Sequence, residues 1–226
     1  MASNDWLGQL RIEGETAWWS GSIGDAIAHR HFAAQCVFST EPVAVIDARG
    51  QEFSGNCLLI EPDGLHRLLP AGQAEICYVE PATGLGLPAV VRERILDTEP
   101  LLISAGTVRP FWSAALRLAP RRALDPRVTS AIAAAEPLLA RGTVRLADIF
   151  PASGLSIGRF RHLFASEMGM PFQRYILWCR LRTALSRLVD GRSVTDAAHS
   201  AGFADAAHFA RTIKTMFGIR ASDIFS

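Results

Sequence analysis

The chain has 226 residues, of which 49% are hydrophobic and 20% are charged, a composition typical of a folded globular protein. No apolar run reaches the roughly 20 residues that a membrane-spanning helix needs. The first 15 residues lack the basic start and the apolar stretch of a signal peptide. We therefore expect a cytoplasmic protein with no membrane partner.

The net charge of +1 conceals an uneven distribution along the chain. Residues 1–120 hold 8 Arg against 14 Asp and Glu, a net charge of −6, whereas residues 121–226 hold 15 Lys and Arg against 8 acidic residues, a net charge of +7. This asymmetry predicts two domains, 1–120 and 121–226, with a polyanionic partner for the second alone.

The 4 cysteines include no C-x-x-C pair, which disfavours a zinc ribbon or a thioredoxin-like motif. In a reducing cytosol they are expected to be buried thiols rather than disulfides. A thiol-based sensor using Cys36, Cys57 and Cys77 is an alternative.

Residues 16–81 read as short β-strands separated by turn residues. Their spacing of about 8–12 residues favours an antiparallel sandwich or barrel. The clearest predicted strands are residues 36–39, 43–46, 57–60 and 76–79, with turns at 41–42, 49–50, 62–64 and 70–72.

The chain becomes helical beyond this region. Residues 84–97 predict a helix, and the proline-containing residues 98–122 a connector. Asp125 can cap a further helix, with Pro126 at its first position, that runs to about residue 141.

Residues 146–164 have the pattern of a helix-turn-helix unit. A short helix ends at Gly154, which permits a tight corner, and Ser156 can cap the next helix. Ile157, Phe160 and Phe164 follow at spacings i, i+3 and i+7, which predicts a buried face.

The opposite face of that second helix carries Gly158, Arg161 and His162. Basic side chains near the start of the second helix are suited to reading base edges in the major groove.

A second unit of the same kind follows about 47 residues later in the chain. Residues 194–199 predict its first helix, Gly202-Phe203 its corner and Asp205 the cap of its second helix. Phe209, Ile213 and Phe217 are predicted to be buried, and Ala207, His208 and Arg211 to face outward. A helix over residues 172–189 joins the two units and fixes the distance between them, for which groove geometry requires about 34 Å.

Over about 100 residues, from Asp125 onward, the chain resembles the DNA-binding domain of the AraC/XylS family of bacterial regulators. The matching positions are Leu155, Ser156, Phe160, Leu163, Phe164, Gly169, Pro171, Phe172, Tyr175, Arg180, Leu181, Ala184, Leu188, Ala198, Gly202, Phe203, Asp205, His208, Phe209, Arg211, Lys214, Phe217 and Gly218. The resemblance implies a sequence-specific transcription regulator, not an enzyme. Its implied partners are duplex DNA, a small-molecule effector, RNA polymerase and a second copy of the chain, paired through residues 87–96.

The resemblance also implies which residues contact DNA: Ile157, Gly158, Arg161, His162, Arg174, Ala207, His208, Arg211 and Lys214. Gly158 and Ala207 depart from many relatives because neither has a side chain that can hydrogen-bond to a base. Direct readout is therefore expected to depend mainly on Arg161. For Arg211, a salt bridge between domains is an equal alternative.

His29-Arg30-His31 is predicted to lie on one strand, with both imidazoles and Gln35 on one face. His66 follows the turn at residues 62–64. This pattern resembles the two metal-ligand motifs of cupin barrels, and sensor domains of this regulator family are often cupin-like.

The predicted fold is therefore α+β, with an antiparallel cupin-like barrel and helices after it, then an all-α domain. Three His and a Gln form a candidate site for a divalent metal ion such as Fe, Ni, Cu or Zn. Gln35 stands where cupin enzymes usually carry Glu, so a metal-free ligand pocket and a structural remnant stay open. One alternative to a ligand-controlled regulator is a cupin-type metalloenzyme carrying a DNA-binding module. Another is a regulator with no small-molecule ligand, controlled by its abundance or by a protein partner at the acidic domain.

Overall fold

The computed structural model describes residues 5–13, 16–60, 63–79, 123–141, 144–149 and 155–224. The chain divides into two compact units, one of Met1–Arg122 with Ile213–Ser226 and the other of Ala123–Thr212. The predicted helix at 84–97 with its dimerisation segment, the connector at 98–122 and the corner at Gly154 lie outside the described residues.

Six strands of the first unit form one antiparallel sheet in the order β1-β2-β6-β3-β4, with β5 paired to β3. The strands are β1 (Gly8–Glu13), β2 (Thr16–Ile23), β3 (Ala34–Asp47), β4 (Glu52–Ile60), β5 (His66–Leu68) and β6 (Ala71–Val79). Strand β3 is central because it pairs with β4, β5 and β6.

Strand β3 corrects one prediction. Glu41-Pro42 was expected to be a turn between two strands, whereas both residues lie inside β3, where the register against β4 shifts between Phe38 and Val43. Proline has no N–H for the ladder, so a register irregularity is where a strand accommodates it. Strand β1 was not predicted.

Among the described residues, the helices lie in the C-terminal part of the chain. They are α1 (Pro126–Ala135), a 3₁₀ helix (Glu136–Arg141), α2 (Leu146–Ile149), α3 (Ile157–Met168), α4 (Phe172–Val189), α5 (Val194–Ser200), α6 (Ala206–Phe217) and α7 (Ala221–Ile224). The predicted cap is present at α1, where the Asp125 side chain accepts a hydrogen bond from the Arg127 N–H. The α-helix changes to a 3₁₀ helix at Glu136, next to Pro137, which has no N–H for an α-helical hydrogen bond.

The predicted α+β class is confirmed, with antiparallel strands in the N-terminal part and helices in the C-terminal part. In the part of the chain that the structure describes, no helix combines the length and the apolar character needed to cross a membrane.

Candidate DNA interface and histidine cluster

Helix α3 presents one buried and one exposed face. Ser156 caps it by accepting a hydrogen bond from the Arg159 N–H. Phe160 and Phe164 are fully buried, as predicted, whereas Ile157 is 40% exposed. The prediction that Ile157 faces the core is therefore wrong: it is the first residue of the helix, and the buried stripe begins one turn later.

The exposed face of α3 carries the three residues predicted to approach DNA. Gly158, Arg161 and His162 are all exposed. A Cβ atom built on Gly158 would meet nothing within 4 Å, so the helix surface there is open. Next to Arg161, therefore, no side chain covers the helix backbone at Gly158. A binding partner can approach the backbone closely there.

The second helix-turn-helix unit has the predicted cap at Asp205, the predicted corner and a further cap at Ser193. Ser193 caps α5, and the Asp205 side chain accepts a hydrogen bond from the His208 N–H at the start of α6. Gly202 forms the corner with φ +79°, and a Cβ there would lie 2.2 Å from the Leu139 carbonyl oxygen. Left-handed backbone and close approach both require glycine at this corner.

The first turns of α6 expose fewer polar groups than those of α3. Ala207 and Arg211 are exposed, and Lys214 is exposed one turn further on. His208 is half-buried, with its ring 5.2 Å from the Phe203 ring in an edge-to-face arrangement.

Helix α4 has the predicted bounds and joins the two helix-turn-helix units. Its 18 residues make a rod about 27 Å long at the usual helical rise. Arg174, a predicted phosphate contact, is exposed in its first turn. The buried residues of α4 include Tyr175, Leu181, Ala184, Leu185 and Leu188.

The three histidines of the first unit lie close together, but His29 and His31 are not on a strand as predicted. Strand β2 ends at Ile23 and β3 begins at Ala34, so His29 and His31 lie in the connection between two strands rather than on one strand. His29 forms an isolated β-bridge with His66, through two backbone hydrogen bonds of 2.9 and 3.0 Å. We call His29, His31, His66 and Gln35 the histidine cluster.

Each imidazole of the cluster is held by a backbone carbonyl. The Nδ1 atoms of His29, His31 and His66 each lie 2.9 Å from a carbonyl oxygen, those of Ile27, Ala33 and Gly64 respectively. A neutral imidazole that donates its proton from Nδ1 has a lone pair on Nε2. This arrangement is the usual one behind metal-ligating histidines, because it fixes the ring and the tautomer.

The Nε2 atoms of His31 and His66 converge on Gln35. Its side-chain oxygen lies 2.8 Å from His31 Nε2 and 3.2 Å from His66 Nε2. One ligand atom from each of His29, His31 and His66 lies within 4.8 Å of the others. Three imidazole nitrogens and an amide oxygen are a suitable set for a divalent transition-metal ion.

Burial keeps these imidazoles neutral. His29, His31, Gln35 and His66 are each at most 6% exposed. Desolvation, with a smaller contribution from His66, lowers the pKa of His29 to about 4 and that of His31 to about 3. Burial also lowers the pKa of His66. A metal ion binds the neutral form of histidine, so the cluster is in its ligating state at neutral pH.

An aromatic contact that sequence analysis missed closes one side of the cluster. Phe217 was predicted to be buried in the core of the second helix-turn-helix unit, but it is half-buried, and its ring centroid lies 5.5 Å from that of His31. Tyr78 lies 5.3 Å from His31 and 5.5 Å from Phe217, so the three rings contact one another. The helical spacing of Phe217 identified an apolar face but gave no indication of this partner.

The four cysteines are free thiols, as predicted, but only three of them are buried, because Cys57 is half-buried. Cys36 and Cys77 are buried and lie opposite each other on β3 and β6. Burial raises the pKa of both thiols, and it raises the pKa of Cys57 to about 11. Thiolates are the reactive form, so these raised pKa values argue against a thiol sensor.

Two helix-turn-helix units joined by one long helix define a class of DNA-binding domains. A family model described as a helix-turn-helix domain matches residues 133–226. The match shows a helix-turn-helix domain in this part of the chain and agrees with the two units predicted from the sequence.

The chain is also similar to a curated protein, the transcriptional activator RhrA of Rhizobium meliloti (strain 1021). The two are 30% identical over 110 residues, which make up 47% of this chain and 35% of the relative. The chain therefore matches about a third of the length of this curated relative.

Solved structures of ToxT from Vibrio cholerae are similar over most of the chain. The structure from strain O395 superposes with a TM-score of 0.56 at 12% identity, covering 94% of this chain and 98% of ToxT. A ToxT structure bound to (E)-4-(8-methylnaphthalen-1-yl)but-3-enoic acid superposes with a TM-score of 0.57 at 12% identity. The match covers 93% of this chain and 98% of ToxT. A third ToxT structure, from strain SCE256 and bound to an unsaturated fatty acid, superposes with a TM-score of 0.54 at 13% identity. The match covers 95% of this chain and 96% of ToxT. At such low identity the similarity establishes the fold.

Proposed function

We propose that the chain is a sequence-specific DNA-binding transcription regulator whose activity is set by a divalent transition-metal ion bound in the histidine cluster. The observation that carries the proposal is the helix-turn-helix domain at residues 133–226, with the basic face of α3 exposed. The proposed domains are residues 1–120, which sense the ion, and residues 121–226, which bind DNA.

The DNA-binding role is supported by charge as well as by fold. The net charge of +7 lies in residues 121–226, and attraction of basic side chains to phosphates supplies much of the affinity of such domains. In this proposal, Arg161 reads a base in the major groove and Arg174 contacts the phosphate backbone. The other proposed contacts are Ile157, Gly158, His162, Ala207, His208, Arg211 and Lys214.

The proposed effector is an ion because of the dimensions of the histidine cluster. The ring centroids of His29, His31 and His66 lie 4.3, 5.2 and 5.7 Å apart. One ligand atom from each of the three imidazoles lies within 4.8 Å of the others, which suits a single ion, whereas an organic molecule would have to push the rings apart. Organic acids of the kind bound to ToxT are the alternative class of effector, and they require a different cavity.

The enclosure of the cluster favours binding over catalysis. A catalytic metal ion keeps an open position for water or substrate, whereas a structural or regulatory ion is surrounded by protein ligands. His31 and Gln35 are each 1% exposed. We therefore propose a regulator, working in the bacterial cytoplasm as a homodimer together with RNA polymerase, rather than a metalloenzyme.

The DNA-binding part of the proposal is tested by selecting duplexes from a random-sequence library with the full-length protein. We expect a recovered site with two segments about one helical turn apart, since two recognition helices enter successive major grooves. Recovery of no preferred sequence would contradict specific DNA binding.

The ion is tested separately on the same protein. After stripping with EDTA, Co²⁺, Ni²⁺, Cu²⁺ and Zn²⁺ are added singly, and binding to the ion and to the selected duplex is measured. We expect one ion per chain and a change in duplex affinity. An ion that binds without changing duplex affinity would leave the protein a regulator but remove the ion as its effector.

A further inference from the structure

The end of helix α6 makes two kinds of contact with the histidine cluster. The first is the ring contact of Phe217 with His31, with an interplanar angle of 30° and with Tyr78 against the edge of both rings. His31 is 1% exposed. The Phe217 ring therefore lies beside a proposed metal ligand and helps to exclude water from it.

The second contact is made by the backbone of Gly218, the residue after α6. Its carbonyl oxygen accepts a hydrogen bond of 2.9 Å from the Ile27 N–H. The carbonyl oxygen of the same Ile27 accepts the proton of His29 Nδ1 at 2.9 Å. Ile27 thus links Gly218 directly to the hydrogen bond that orients a second proposed metal ligand.

Gly218 is required by space as well as by conformation. Its φ is +71°, and a Cβ atom there would lie 2.4 Å from the Ile27 carbonyl oxygen and 2.6 Å from His29 Nδ1. A side chain would displace the atoms that hold the His29 imidazole. The close approach of the Gly218 backbone therefore depends on the absence of a side chain at this position.

We infer that Phe217 and Gly218 close and position the metal site, so that the bound ion and the docked end of α6 stabilise each other. This inference rests on the ion-binding part of the proposed function. Phe217 blocks access to His31, and Gly218 holds His29 through Ile27. Because coupling of this kind is reciprocal, undocking the segment lowers ion affinity and removing the ion weakens docking.

Gly218→Ala is the direct test, and Gly169→Ala is its matched control. Gly169 also follows the end of a helix with positive φ, +68°, but a Cβ there would meet nothing within 4 Å. Both variants therefore impose a similar backbone strain, and only Gly218→Ala pushes on His29. The experiment titrates full-length, EDTA-stripped proteins with Ni²⁺ in competition with a coloured chelator.

We expect Gly218→Ala to lower Ni²⁺ affinity roughly 10- to 100-fold, as loss of the groups that orient metal ligands does. Gly169→Ala should bind Ni²⁺ like the wild type. Equal affinities for Gly218→Ala and the wild type would overturn the inference. So would an equal loss in both variants, because backbone strain alone would then explain it.

Phe217→Ala provides a second measurement that still applies if Gly218→Ala fails to fold. Loss of the ring should speed Ni²⁺ release into excess EDTA, whereas Phe53→Ala, at a 45% exposed phenylalanine of β4, should not. Unchanged release from Phe217→Ala would overturn the inference. A wild type that binds no Ni²⁺ would overturn it together with the ion-binding part of the proposed function, while the duplex selection would still test DNA binding.

Discussion

The Nε2 atom of His31 and the side-chain oxygen of Gln35 lie 2.8 Å apart, although both carry lone pairs when His31 donates from Nδ1 to Ala33. Two acceptors at this distance repel each other unless a cation lies beside them. The repulsion is also relieved if the Gln35 amide is reversed, because its nitrogen then donates to His31 and His66. Gln35 is thus suited to two states, with its oxygen toward a bound ion and its nitrogen inward without one.

Gln35→Glu should tighten Ni²⁺ binding, because an anionic oxygen replaces a neutral one among the same ligands. Gln35→Leu, which removes the oxygen and keeps similar bulk, should weaken binding by at least about tenfold. Affinities are measured by competition with a chelator. If Gln35→Glu and Gln35→Leu both bind as the wild type does, Gln35 is not a ligand.

The pH dependence of the metal-free protein follows from the lowered histidine pKa values. The ordinary pKa is 6.5, and the folded protein holds that of His29 at about 4 and that of His31 at about 3. Below pH 6.5, His29 and His31 therefore bind protons in the unfolded chain but stay neutral in the folded protein. Stability is highest above this pH and falls as the pH drops toward 4, by up to about 1.4 kcal/mol per pH unit for each histidine.

This loss of stability is measured as melting temperature in EDTA between pH 7.5 and 4.5. His29→Gln should flatten the curve below pH 6.5, because it removes one buried titrating group. His199→Gln, at an exposed position of α5, should leave the slope unchanged. Equal slopes for His29→Gln and the wild type would show that His29 takes up its proton without unfolding.

The sequence predicted the helical part of the fold more completely than the sheet. Helix α4 was expected at residues 172–189 and runs from Phe172 to Val189, because helix signals are local in sequence. The strand prediction for His29 failed because its bridge to His66 joins residues far apart in the chain. Helical spacing alone could not predict that Phe217 would contact the rings of His31 and Tyr78.

The thiols are expected to react slowly in the folded protein. Burial raises the pKa of Cys57 to about 11, and Cys36 and Cys77 are more deeply buried. At pH 8, iodoacetamide should therefore modify Cys57 first among these three, and all four cysteines should react readily once guanidinium unfolds the chain. Mass spectrometry of the modified peptides identifies the order. Rapid modification of Cys36 or Cys77 in the folded protein would contradict this expectation and would support a thiol sensor.

Arg161 and Arg174 should differ in what their loss does to DNA binding. Both are exposed, Arg161 on α3 and Arg174 in the first turn of α4. Arg161→Ala should cost about 1–3 kcal/mol on the selected duplex and relax the preference at one base pair, since a bidentate contact to guanine supplies such discrimination. Arg174→Ala should instead weaken all duplexes about equally and reduce the salt dependence of binding by about one phosphate contact. Binding of both variants is measured on the selected duplex and on single-base substitutions of it, at several salt concentrations. A loss of affinity in both variants with base preference unchanged would show that Arg161 contacts the backbone rather than a base.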